Sequence, residues 1–293
     1  RKTMTEAFNI NSKKEVTDFL IDLCRTANVE VNQDASDNII MHKLGSGEKI
    51  MFPFVINLSS VIINKAEDSC AAFDSLCLCK AQSLADREVF NSDGVSVGII
   101  RNVKKDDYEV KMWEKNSVKI GERCNVKSNI TCKDNLLYGF NTEPYMCLKI
   151  IDRLLLIFDK CVKDIYFTVS FNEASASACA KAVNPDKIYM IYFTDSDKSF
   201  KIGDGLGIVI KDGYHITDEG VIKGLTDICK ENNIKAQTFV GKASALTERL
   251  AVLFGGSGVY PICLPIECRG SGCEISDASD TDSALKLFDC IFA

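Results

Sequence analysis

DIYFTVSF, Asp164–Phe171, runs directly into NEASASACAKAV, Asn172–Val183. The first segment is a short apolar run rich in aromatic and β-branched residues, the composition of a buried strand. The second is made of small residues and opens on Asn172, a residue type suited to the capping position of a helix. A strand that feeds straight into a helix is the repeating element of an α/β sheet. The junction is also where many α/β hydrolases mount acidic groups, and here it carries Phe171 and Asn172 instead. The scaffold is well formed, but its expected reactive side chains are missing.

Working outward, the same alternation continues. KIYMIYFTD (187–195), GLGIVIKD (205–212), KAQTFV (235–240) and YPICLPIE (260–267) read as strands. Helices are expected from Asp218 to Asn232, across Ser244 to Phe254, and from Asp280 onward. Upstream, PYMCLKIIDRLLLIFDKC is an amphipathic helix with Pro144 in its first turn, where a missing N–H does no harm. Near the N-terminus Ser12 and Glu15 have capping-box spacing, and Val16, Phe19, Leu20, Leu23 and Cys24 follow at helical intervals. An extended stretch from Asn38 to Lys43, a Gly45-Ser46-Gly47 turn and one apolar strand from Lys49 to Ile63 complete this half. Strands separated by helices of this length predict a mostly parallel central sheet flanked by helices.

Between residues 66 and 135 the pattern changes to short alternating runs with polar turns, VSVGIIRNV, DYEVKMWE and SVKIGERCNV. This reads as a small inserted β-barrel-like domain, with residues 1–65 and 136–293 forming the α/β domain around it. No internal repeat or flexible linker is evident.

The 293 residues are 46% hydrophobic, enough for a full core, and carry a formal net charge of −6. No run of like charges marks the chain for nucleic acid or an anionic membrane surface. No segment approaches the roughly 18 uninterrupted apolar residues of a membrane span. RKTMTEAFNINSKKE lacks the apolar centre of a signal peptide, so a cytoplasmic protein is expected. The 14 cysteines, among them Cys24, Cys147, Cys161, Cys179, Cys229 and Cys290, are scattered through predicted strands and helices. Reduced core thiols are expected rather than a disulfide framework.

A helix, a strand, a small β-domain inserted after it and a long α/β continuation resemble the deblocking and glutamyl aminopeptidases. These are zinc-exopeptidase-like dinuclear metallopeptidases that assemble into tetrahedral particles, and some relatives carry the label endoglucanase. Five stretches bear the likeness. EKIMFPFVINLSSVII resembles the family's strand ending in Ala-His-Met-Asp-Glu, and SVKIGERCNV the strand closing its inserted domain. LLYGFNTEPYMCLKIIDRL falls where the family has Ala-Leu-Asp-Asp-Arg, and YFTVSFNEASASA where it has Thr-Val-Gln-Glu-Glu-Val-Gly. LPIECRGSGCE falls where it has Ile-Pro-Thr-Arg-Tyr-Ile-His-Thr-Pro-x-Glu.

The resemblance implies two divalent ions, zinc or cobalt, bridged by an Asp, with a Glu to deprotonate the attacking water. Carried over by position, the first His becomes Val55 and its orienting Asp becomes Asn57. The bridging Asp becomes Asn141, the general base Phe171, the adjacent ligand Asn172 and the distal His Gly270. Asp195 alone keeps a carboxylate. Amides, hydrocarbon and glycine cannot offset two dications, so no catalytic residue, no metal ligand and no cofactor is expected. The expected role is a catalytically degenerate homologue that binds or assembles: a homo-oligomer formed through the inserted domain, or a partner of peptide or an active paralogue. The alternative is an active metal-dependent aminopeptidase releasing N-terminal residues.

Other motifs have simpler readings. His42 and His215 are expected in exposed loops. Cys263, Cys268 and Cys273 lack the paired spacing of a structural zinc site. IGDGLG (202–207) and FGGSG (254–258) precede strands, as turns and helix caps do, whereas phosphate loops precede helices. Asp195, Asp197 and Asp204 are expected to be solvated loop carboxylates, and a glycosidase-like pair such as Glu173 and Asp195 rests on the relatives' label alone.

Overall fold

The computed structural model describes residues 10, 12–65, 70–73, 84–104, 107–114, 118–241, 244–255 and 258–292. In chain order the elements begin with α1 (Lys13–Ala27), β1 (Glu30–Gln33), β2 (Ile39–Lys43) and β3 (Lys49–Val55). Next come β4 (Ser60–Lys65), β5 (Cys70–Phe73), β6 (Glu88–Phe90), β7 (Ser96–Lys104), β8 (Asp107–Met112) and β9 (Arg123–Val126). The hairpin β10 (Ile130–Lys133) and β11 (Leu136–Gly139) leads into α2 (Glu143–Ile157) and a 3-10 turn, Phe158–Lys160. The remainder is β12 (Asp164–Ser170), α3 (Glu173–Val183), β13 (Lys187–Asp195), β14 (Leu206–Asp212), β15 (His215–Ile216) and α4 (Glu219–Glu231). It ends with β16 (Ala236–Gly241), α5 (Ala245–Leu253), β17 (Val259–Ile266), β18 (Glu274–Asp277) and α6 (Ala278–Phe292).

Two compact units result. One holds Arg1–Leu20, Asn57–Tyr145 and Cys268–Ile275, and the other holds Ile21–Ile56, Met146–Glu267 and Ser276–Ala293. The span 66–135 falls inside the first. The stretch Lys49–Ile63, read as one strand, is two: residues 56–59 break it between β3, in the second unit, and β4, in the first.

The second unit is built on a nine-stranded sheet in the order β1-β2-β12-β3-β13-β17-β14-β15, with β16 paired to β14. It is mixed, which corrects the expectation of a mostly parallel sheet. The pairs β12–β3, β3–β13, β13–β17 and β14–β16 are parallel. The pairs β1–β2, β2–β12, β17–β14 and β14–β15 are antiparallel. For β14 the cause is local: residues 196–205, between β13 and β14, form no helix, and without a crossover helix the chain re-enters the sheet in the opposite direction.

β12 and β3 run in parallel register over seven residues, from Asp164 opposite Lys49 to Ser170 opposite Val55. Alternation along the strands then assigns their faces. Phe52 and Phe167 lie on one face, in an aromatic cluster in which Phe52 has Phe158, Phe167, Tyr189 and Phe288 within 5.5 Å between ring centroids. Met51 lies on the other, with Met190, Tyr192, Ala176, Ala180, Leu246 and Leu250. The small side chains of α3 serve this packing, since Ala176, Cys179 and Ala180 recur at helical spacing on its buried face. The last carbonyls of the α2 region are satisfied by the Lys43 ammonium, which donates to Phe158 O, to Asp159 O at 2.9 Å and to Cys161 O at 2.8 Å.

In the first unit β4-β5-β8-β7-β6-β9 pair in sequence, and β9 pairs back to β4, so the ring closes. Val61, Ile63, Val89, Ile100, Val110, Cys124, Val126 and Phe140 fill it. Val61 and Ile63 of β4 stand two residues apart, as do Cys124 and Val126 of β9, so each pair faces one side of its strand.

The glycine motif IGDGLG is a turn held by one buried acid. Asp280, in the first turn of α6, accepts from Gly203 N at 2.8 Å and Gly205 N at 2.7 Å. Gly205 has φ 94°, and a Cβ there would overlap the Lys235 carbonyl. Burial pushes the Asp280 carboxyl up to about 6, against the two N–H donors and with help from Asp277 and Asp204.

Two outcomes follow for the second unit. Phe52→Ala should cost about 3–5 kcal/mol in urea unfolding, because it empties the centre of the aromatic cluster. Asp280→Ala should also destabilise. Its sign with pH is set by the raised carboxyl, which binds a proton more tightly in the folded than in the unfolded chain. Its contribution therefore falls as pH rises from about 4 to about 6, by roughly 3 kcal/mol. The gap between wild type and D280A should be widest near the acid end of this window and narrow towards neutrality; a gap that widens with pH contradicts the reading.

Candidate functional site

In the second unit four of the singled-out positions lie at the carboxyl ends of neighbouring parallel strands, where α/β sheets bind ligands. Val55 ends β3 opposite Ser170, the last residue of β12, and Ile56 N donates to Ser170 O at 2.8 Å. Phe171 and Asn172 follow at once, and both are half-buried. Asp195 ends β13 opposite Ile266 and is exposed. Val55 packs against the Met51–Ala176 cluster.

Asn172 has a structural duty that its amide suits. It is the N-cap of α3, and its side-chain oxygen accepts from Ser175 N at 2.8 Å. Glu173, one residue on, begins the helix and is half-buried.

The other three positions belong to the first unit, which brings them together. Asn141 is buried with φ 58°, a left-handed conformation that Asn tolerates better than most residues, and its Nδ2 donates to Asn57 O at 3.4 Å. Gly270, at φ 73°, donates its N–H to Glu274 Oε1 at 2.7 Å. The other oxygen of Glu274 accepts from Thr142 N at 2.7 Å and Thr142 Oγ1 at 2.9 Å. One buried carboxylate thus ties the residue after Asn141 to Gly270. A second tie runs parallel to it, Arg269 Nη2 to Glu143 Oε2 at 2.7 Å.

Burial raises the Glu274 carboxyl above the usual glutamate value near 4.5, the three donors oppose the shift, and the nearby Glu143 adds to it. No sequence motif marks Glu274. Its partner Thr142 lies 132 residues away, a separation that no local pattern reveals.

The histidines correct the expectation. His42 lies in β2, half-buried, with Nε2 2.7 Å from Asp164 Oδ1 and its ring stacked on Tyr166 at 4.1 Å. His215 is buried in β15; burial lowers its pKa, and Asp212 partly opposes this. Neither is an exposed loop residue, because β2 and β15 are strands paired into the sheet.

Cys24, Cys124, Cys179 and Cys229 are buried thiols, and burial pushes them up to about 12, 12, 11 and 11, far from thiolate reactivity. Cys161 and Cys290, expected inside, are half-buried and exposed. Cys263 is buried in β17, while Cys268 and Cys273 are exposed. Asp197 closes a local turn through Ser199 N, Ser199 Oγ and Phe200 N. Among the described residues no three His, Cys, Asp or Glu side chains gather as a metal site would require.

The fold is similar to that of solved aminopeptidases. An aminopeptidase from the archaeon Desulfurococcus kamchatkensis superposes with a TM-score of 0.82 at 17% identity, over 97% of this chain and 91% of that one. The Pyrococcus horikoshii TET1 peptidase, which assembles into a tetrahedron or a large octahedral shell, gives 0.80 at 16% identity over 97% and 95%. A Thermotoga maritima protein described as an endoglucanase gives 0.76 at 17% identity over 96% and 92%. Curated proteins give no sequence match. Residues 159–287 match the sequence model of the M42 glutamyl aminopeptidases. That segment is similar in sequence to the M42 family, and the fold of nearly the whole length is similar to that of the solved aminopeptidases.

Two dications side by side require several anionic or imidazole donors. Of Val55, Asn57, Asn141, Phe171, Asn172, Asp195 and Gly270, one carries such a group. These side chains do not fit a dinuclear centre.

The cap and the clamp are separable by mutation. Asn172→Ala should cost about 1 kcal/mol, whereas Asn172→Asp, which keeps an acceptor at the N-cap, should cost little. Glu274→Ala should speed amide exchange at Thr142 and Gly270 more than about tenfold, because both N–H groups lose their acceptor. Unchanged exchange at these two amides contradicts the clamp.

Proposed function

We propose that this chain is an M42 aminopeptidase homologue that no longer cleaves peptides and acts as a binding or assembly protein. The observation that carries the reading is the chemistry of six of the seven positions, where hydrocarbon, amide and glycine stand in place of the residues needed to hold metal and activate water. The N-cap role of Asn172 supports it, because the amide oxygen is engaged by its own helix.

Assembly is the more concrete half of the proposal. The Pyrococcus horikoshii relative forms closed shells, and a chain of the same fold is suited to self-association. We assign that role to the inserted β-rich segment, 66–135, in a homo-oligomer. Peptide and an active paralogue are the further partners consistent with the retained fold, and the cytoplasm is the compartment consistent with a chain whose described helices include none long and apolar enough to cross a membrane.

The test is turnover of aminoacyl chromogenic substrates by the purified chain, with and without added cobalt or zinc. Release at the uncatalysed rate under every metal condition is expected. Metal-dependent release, lost with chelator and restored by readdition, overturns the proposal and establishes the active aminopeptidase.

A further inference from the structure

On the outer face of the barrel in the first unit lies a groove of about 450 Å³, inside the roughly 300–1,000 Å³ range of small-molecule sites. Alternation along the strands places its lining there. Val89, Ile100 and Val126 fill the barrel, so their chain neighbours Glu88, Ile99 and Lys127 face outward. Glu88 of β6 pairs with Ile99 of β7, and Lys127, just past β9, donates its N–H to Glu88 O at 2.8 Å. One wall of the groove is Trp113, the single tryptophan of the chain, which follows β8 and is 51% exposed.

The indole is fixed by a chain of hydrogen bonds. Trp113 Nε1 donates to Ser96 Oγ at 2.9 Å, Ser96 Oγ donates to Glu88 Oε1 at 2.5 Å, and Lys127 Nζ donates to Glu88 Oε2 at 3.0 Å. The bonds from Ser96 and Lys127 hold the Glu88 carboxyl below its usual value, so the chain ends on a carboxylate. A large ring pinned by its polar edge, with half its surface in solvent, has little rotamer freedom left to lose when a ligand stacks on it. The charged members of the lining are Asp86 and Glu88 against Arg87 and Lys127, two of each sign, so their formal sum is zero. Glu88 is engaged by Lys127, and Asp86 Oδ1 lies 3.5 Å from Arg101 Nη1. An anionic ligand would meet both carboxylates and a cationic one both bases, so the groove selects neither sign.

We infer that this groove binds a neutral saccharide, with one sugar ring stacked on Trp113 and its hydroxyls hydrogen-bonded to Glu88, Lys127 and Asn129. A pyranose ring offers what the lining lacks and matches what it has. The C–H groups on one face of the ring are slightly positive and complement the negative face of the indole. Its hydroxyls both donate and accept, so they serve carboxylate, ammonium and the exposed Asn129 amide alike. The site lies in the first unit, involves no bond cleavage, and depends on neither the absence of peptidase activity nor the self-association assigned above to residues 66–135.

Because the chain has one tryptophan, its fluorescence reports on this groove alone. The full chain is titrated with glucose, cellobiose, maltotriose and chitobiose, and separately with adenosine monophosphate and arginine methyl ester. At least one sugar should shift the emission saturably and shield the indole from acrylamide, with a midpoint of about 1 mM or lower. Lys127→Ala and, separately, Glu88→Gln should raise that midpoint about tenfold while leaving the melting temperature near wild type. Trp113→Ala should abolish the heat of sugar binding in calorimetry and sediment with the wild-type mass. No saturable shift with any of the four sugars overturns the inference, as does a response confined to the nucleotide or to the cation. Binding heat that survives in Trp113→Ala also overturns it, and a Trp113→Ala chain that loses mass together with heat makes the indole a subunit contact instead. None of these readouts moves with peptidase activity.

Discussion

The parallel register between Lys49–Val55 and Asp164–Ser170 is the constraint from which the second unit is built. Seven residues in step place Phe52 and Phe167 together on the aromatic face and end both strands at the same level, so that Val55, Phe171 and Asn172 fall beside one another. A slip of one residue would carry every side chain of β12 to the opposite face. The phenylalanine cluster around Phe52 resists that slip, because it needs Phe167 on one face and the small side chains of α3 facing Met51 on the other. The geometry of the strand ends is thus a by-product of core packing and persists whatever chemistry the end residues carry.

That separation lets the side chains at the strand ends vary without a change of fold. Ligands of a dinuclear metal centre are held by strands and turns that must exist for packing reasons, and a substitution at the ligand need not disturb them. Asn172, at such a strand end, is the N-cap of α3, a position that an amide suits. Asn141 sits in a left-handed turn that an amide tolerates, and the segment after it is tied to Gly270 by Glu274. The first unit holds Asn141 and Gly270 in a framework fixed by Glu274 and Thr142.

Much of this was legible in the residues. The strand Lys187–Asp195, the caps Asp218 and Asn232 around α4 and the junction at Asn172 follow local rules of burial, alternation and capping, and these appear in any single sequence. What escaped was set at long range. Residues 196–205 contain no helical period, which was visible, but its consequence for strand direction depends on where β17 lies. His215 became a core residue because β15 pairs with β14, and Glu274 became a clamp because Thr142 is folded against it. The candidate site was readable only as a set of substitutions against a resemblance, and the packing that fixes each position could not be foreseen from spacing.

The central claim is electrostatic: the side chains at the strand ends do not supply the charge that two neighbouring dications demand. It is tested most directly by native mass spectrometry of the intact chain, stripped with chelator and then equilibrated with zinc or cobalt. The account predicts a mass without stoichiometric metal; two ions retained per chain would contradict it.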